Sequence, residues 1–174
     1  LDKVDLSKVS LTKSIITRDD LTELDEDTRT EIGPRDEVGL QLQFTNKGDQ
    51  TVYSLLVDEA TISTEEVEAA SVSEEDRCRI RFAKPRVIEG RGISIPSAAL
   101  ADVGFAETGY GFLVATAPDS TTTVRVRAQT VGTPGCQFKS EAAAYVTNLP
   151  PTETGQFDAQ TAQALLPQFK PVPN

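Results

Sequence analysis

Two acidic clusters and one basic stripe carry much of the charge in this 174-residue chain. Asp19, Asp20, Glu23, Asp25, Glu26 and Asp27 form the first cluster, and Glu65, Glu66, Glu68, Glu74, Glu75 and Asp76 the second. Carboxylates at this density could bind calcium through oxygen or serve as the acid and base of a glycosidase. Neither cluster has the Asp-x-Asp-x-Asp-Gly spacing of a calcium loop. A glycosidase would bring aromatic platforms, and the chain has no Trp and 3 Tyr. The clusters therefore read as solvated loop or helix faces. Arg77, Arg79 and Arg81, extended by Lys84 and Arg86, form a stripe that could hold an anion. No aromatic residues interleave with it as single-stranded nucleic acid would require. Partnership with the acidic segments is the simpler reading.

The chain has no histidine. It therefore lacks the side chain that most often shuttles protons or binds catalytic metal near neutral pH. No Ser-His-Asp or Cys-His constellation can be assembled from it, and two cysteines cannot complete a four-ligand zinc site of the usual Cys/His kind. We expect no enzyme, no cofactor and no metal centre. Cys78 and Cys136 have two readings. They are small buried hydrophobes, or they form a disulfide between sheets that contributes about 4 kcal/mol by closing a long loop.

The formal net charge of −10 argues against nucleic acid as a direct partner. It is uneven: residues 1–90 hold 12 Lys/Arg and 21 Asp/Glu, whereas residues 91–174 hold 5 and 6. The nearly neutral second half suits packing against other protein. No apolar run of membrane-spanning length occurs, and no basic segment followed by an apolar one opens the chain. The first residue is Leu1. This reads as processing or as a non-AUG start codon, the latter pointing to a bacterial or phage gene. The lack of Met and Trp fits a thermophilic source.

Period-two alternation sets the elements that must position these groups. Leu40, Leu42 and Phe44 share one strand face, and the glutamines Gln41 and Gln43 take the other. Thr51 to Ile62, Cys78 to Phe82, Arg86 to Ile88, Ile93 to Ile95, Gly109 to Thr116, Thr121 to Val131 and Ala142 to Val146 continue the series. Val124, Val126 and Ala128 face inward; Arg125, Arg127 and Gln129 face outward. Short helices are predicted from Ser63 to about Ala70, after Pro96 and from Asp158 to Leu166. The fold class is all-β: a single jelly-roll sandwich or barrel of about eight strands with an extended C-terminal tail. One domain divides into an N-terminal strand or arm (1–17, its phase slipping near Ser7), a body (18–148) and a Pro-rich C-terminal arm (149–174). Val4, Leu6, Val9 and Leu11 in the first, and Phe157, Leu165, Leu166 and Phe169 in the last, are candidate subunit contacts, because a pure linker would not carry such residues.

The Leu1-Asp2-Lys3-Val4-Asp5-Leu6 start, the missing methionine, the strand series from Val38 to Val146 and the tail from Leu149 to Asn174 together carry a resemblance. The chain is similar to small major capsid proteins of tailless, icosahedral, membrane-containing phages, of the single vertical β-barrel type found in phages of Thermus. The resemblance implies an upright jelly roll in a virion. It also implies self-association beside a second, larger capsid protein, a membrane beneath the shell and exchange of terminal strands. The alternative is an immunoglobulin-like or carbohydrate-binding sandwich of a surface or appendage protein.

Overall fold

The computed structural model describes residues 5–16, 21–25, 29–32, 37–63, 78–105, 108–131, 136–147 and 170–172. In chain order the strands are β1 (Val9–Ile16), β2 (Leu21–Asp25), β3 (Arg29–Ile32), β4 (Glu37–Asn46), β5 (Val52–Ser63) and β6 (Arg79–Glu89). They continue with β7 (Arg91–Ile95), β8 (Gly109–Thr116), β9 (Ser120–Val131), β10 (Gln137–Thr147) and β11 (Lys170–Pro171). A 3-10 turn, Leu6–Lys8, precedes β1, and a short helix, α1 (Ser97–Asp102), follows β7. The helix predicted from Ser63 to about Ala70 starts on the last residue of β5; its remainder, the helix predicted over Asp158–Leu166 and the second acidic cluster lie beyond the described residues.

The strands form two antiparallel sheets, ordered β2-β1-β4-β9-β6 and β11-β10-β5-β8-β7. β3 shares the outer edge of β10 with β11, opposing residues 138–141 where β11 opposes 145 and 146. The architecture is an all-β sandwich, as alternation predicts. A jelly roll built from β1 and β4 to β10 would pair β4 with β9, β5 with β8, β1 with β10 and β6 with β7. The first two ladders are formed. In the other two places β1 lies on β4 and β7 on β8.

Three local readings change. The phase slip near Ser7 is the 3-10 turn, capped by Asp5, whose carboxylate accepts from Ser7 N at 3.0 Å. The first acidic cluster is not wholly loop or helix, since Leu21–Asp25 forms β2 against β1. The runs on either side of Pro85 are one strand, β6, with a bulge. The register shifts between Ala83 and Arg86, and Lys84 adopts φ 53°.

The core lies between the sheets. Leu40, Leu42 and Phe44 are fully buried and face Leu56, Phe112 and Val114 of the opposite sheet, with Val124, Val126, Ala142, Ala144 and Val146 around them. Arg127 stays exposed on the outer face, as its phase predicts. The second sheet is apolar on both faces. Leu55, Val57 and Leu113 point outward and are covered by Ile95 and by Leu100 of α1. This accounts for the uniformly apolar run Tyr110-Gly111-Phe112-Leu113-Val114 in β8. Gly111 allows α1 to approach, because a Cβ there would lie 2.9 Å from Leu100 Cδ1.

At one end of the sandwich, buried Asn46 ties two turns together. Its Nδ2 donates to Gln50 O at 2.7 Å and Thr116 O at 3.0 Å, and its Oδ1 accepts from Gly48 N at 2.9 Å. On the outer face, Leu100→Ala should destabilise the fold by about 2–5 kcal/mol, since Leu100 fills the space between α1 and β8. Urea denaturation of the two chains would measure it; a change below about 1 kcal/mol would mean that α1 is not part of the cooperative fold.

Candidate functional site

Two charged residues stand in apolar phase. Lys13 alternates with Val9, Leu11 and Ile15 on β1, directly opposite Leu42, so its side chain enters the sandwich. Asp58 alternates with Val52, Ser54 and Leu56 on β5 and enters from the other sheet. Both are 0% exposed, and Lys13 Nζ lies 2.7 Å from Asp58 Oδ2. A salt bridge thus crosses the core from one sheet to the other.

Two more strands complete the group. Tyr110, the cross-strand partner of Asp58 on β8, donates its hydroxyl to Asp58 Oδ2 at 2.6 Å. Ser140 on β10 receives Lys13 Nζ on its carbonyl oxygen at 3.2 Å and also on its hydroxyl. The Tyr110 ring is held edge-on by Phe82 and Phe112, with centroids 5.0 and 6.2 Å away. Gly109 brings backbone tight against β5, for a Cβ there would stand 2.5 Å from Asp58 O. Side chains from β1, β5, β8 and β10 therefore converge on one carboxyl group. Its second oxygen, Oδ1, has no hydrogen-bond partner among the described residues.

Burial raises the Asp58 carboxyl above its ordinary range; Lys13 draws it partly back, helped by the hydroxyls of Tyr110 and Ser140. Tyr110 is pushed well above 10, first by burial and then by the adjacent Asp58 charge. Chemically, the cluster is an amine and a carboxyl group in contact, sealed from solvent and flanked by two hydroxyls.

Cys78 and Cys136 are bonded to each other, with Cα atoms 5.7 Å apart. They stand just before β6 and β10, so this bond also joins the two sheets. Its 58-residue separation corresponds to about 4 kcal/mol of loop-closure stabilisation. Of the candidate contact residues, Leu6 is exposed, Val9 is buried in the chain's own core and Leu11 packs against that core. Val4, Phe157, Leu165, Leu166 and Phe169 lie outside the described residues. Val172, near the end of the tail, is buried and donates its N–H to Ala144 O at 2.8 Å. Arg79, Arg81, Lys84 and Arg86 are exposed. Among the described residues no group of three His, Cys, Asp or Glu could hold a metal ion.

The functional reading of charge from sequence density overlooked Lys13 and Asp58. Their signal is phase: each is the charged residue at an inward position of a strand whose other inward residues are apolar or small. Tyr110 and Ser140 carry no such signal, because a tyrosine or serine at an inward position is common.

Lys13→Ala at pH 7 should cost about 3–5 kcal/mol by leaving the Asp58 carboxyl buried without its cation, and Lys13→Met with Asp58→Leu should recover much of it. Urea midpoints of the single and double variants check this; a single variant as stable as the parent would contradict it. Folding raises the Tyr110 pKa, so its contribution to stability is complete below the ordinary value of 10.0 and is lost as pH rises through the raised one. Between pH 8 and 11 the stability of Tyr110→Phe should therefore fall less steeply than that of the parent, as read from unfolding midpoints across that range.

No family model matches this chain, and no curated protein matches it. Among solved structures, the pilus backbone of Streptococcus pneumoniae is similar over 79% of this chain, with 8% identity and a TM-score of 0.31. The aligned part is 32% of that longer chain, so this chain spans about a third of its length. Agreement at that level assigns neither kinship nor function.

Proposed function

We propose that this chain is a structural subunit, a β-sandwich that works by contact with other copies in an assembled shell, as the capsid resemblance implies. The observation that supports this reading best is how the reactive side chains are used. Lys13, Asp58 and Tyr110 are turned toward one another between the sheets and Cys78 is bonded to Cys136, so these groups hold the body together. The absence of histidine from the whole chain agrees with a role in which the product is contact rather than turnover. The partners proposed are further copies of the chain and a second, larger capsid protein.

The disulfide favours a second reading, a sandwich module of a surface or appendage protein, because such bonds persist mainly outside the reducing cytosol. Solution mass separates the two. Light scattering of the full chain at micromolar concentration should give a dimer or larger species. Leu165→Glu with Phe169→Glu should shift it to monomer without changing the thermal midpoint. A strictly monomeric parent chain would overturn the shell reading in favour of the module.

A further inference from the structure

We propose that Lys13 and Asp58 condense, within the folded chain, into an amide that covalently joins β1 to β5. The geometry carries the proposal. Nζ and the Asp58 carboxyl are in contact at 2.7 Å, both side chains are fully buried, and they approach from opposite sheets with nothing between them. Tyr110 donates to Oδ2 and Ser140 accepts from Nζ, so each reacting group is oriented by a neighbour on another strand. Holding two reactants in this way corresponds to an effective concentration on the order of 10⁵ M or more. That favours a condensation that dilute amine and carboxylate do not undergo in water.

The step balances without any other reactant. The ammonium of Lys13 first passes a proton to the carboxylate, giving the neutral amine and the neutral acid. Burial favours this uncharged pair, in line with the upward displacement of the Asp58 pKa. The Nζ lone pair then attacks Cγ and forms the C–N bond. Tyr110 Oη, already donating to Oδ2, stabilises the negative charge that develops there. Oδ1, the oxygen with no hydrogen-bond partner among the described residues, holds the transferred proton, takes a second from Nζ and leaves as water when its bond to Cγ breaks. Oδ2 stays as the amide carbonyl on Tyr110, and the amide N–H stays directed at Ser140. The ion pair alone becomes a neutral amide and a water molecule. The core loses its two formal charges, together with the desolvation cost they carried.

The test is the mass of the folded full chain, with the Cys78–Cys136 bond reduced and both thiols alkylated after denaturation. The chain should be lighter than its sequence mass by one water. Proteolysis should yield a branched peptide containing both Lys13 and Asp58, and trypsin should not cut after Lys13. Lys13→Arg and Asp58→Ala should each have the full sequence mass. Tyr110→Phe keeps both reactants, and should accumulate the linked form at least tenfold more slowly after refolding. A parent chain that is folded by circular dichroism yet keeps its full mass after prolonged incubation overturns the proposal. So does a water loss without the branched peptide, which would mark a cyclised aspartate elsewhere. Because these readouts concern a single chain, they do not depend on whether it assembles.

Discussion

A cation and an anion facing each other across a sandwich core impose a constraint that apolar packing does not. Leucines from two sheets can slide by an ångström and still exclude water, but Lys13 and Asp58 must meet within hydrogen-bond distance or leave a buried charge uncompensated. Their meeting fixes several relationships at once. A one-residue slip of β1 along β4 would turn Lys13 outward and leave Asp58 alone. The same slip of β8 along β5 would remove Tyr110 from the carboxyl group. The pair therefore specifies both ladders and the placement of one sheet over the other. The apolar core supplies most of the stability around it.

The disulfide repeats this connection elsewhere. Cys78 and Cys136 precede β6 and β10, whereas Lys13 and Asp58 lie within β1 and β5. One tie alone would allow the sheets to turn about it, but two separated ties remove that freedom. The two differ in chemistry as well. The sulfur bond yields to a reductant, and the Lys13–Asp58 connection does not.

Much of the fold could be read from alternation. Leu40-Gln41-Leu42-Gln43-Phe44 and Val124-Arg125-Val126-Arg127-Ala128 show their inner faces plainly, because polar side chains, among them Gln41 and Arg125 bonded to each other, line the other side of each strand. β8 reads as a strand from Gly109 to Thr116, but its run Phe112-Leu113-Val114 does not show which face is inner, since α1 covers the second face. The pairing of β1 with β4 and of β7 with β8 could not be read at all. Local sequence sets which face of a strand is buried but not which neighbour it takes, and a jelly roll differs from this sandwich only in the latter. The site was less legible than the fold. Acidic density drew attention to segments such as Glu65–Asp76, although density is mostly a property of solvated surface. The informative charges, Lys13 and Asp58, stand singly in apolar surroundings. Each can be noticed alone, but their contact depends on a sheet-to-sheet registration that arises only in three dimensions.

The bulge in β6 bears on what can approach this edge of the sandwich. Among the described strands β6 is the last of its sheet, and its course is interrupted at Lys84 and Pro85. Pro85 has no N–H to offer a neighbouring strand, and the left-handed turn at Lys84 swings the backbone out of line. Exposed Arg79, Arg81, Lys84 and Arg86 add like charge along the same border. A strand from another molecule cannot continue the ladder there. The bulge and the like charges oppose growth of this sheet into a ribbon at that border. Any molecule approaching this border would meet side chains first, so its angle of approach would be set by side-chain fit rather than by the twist of a shared sheet.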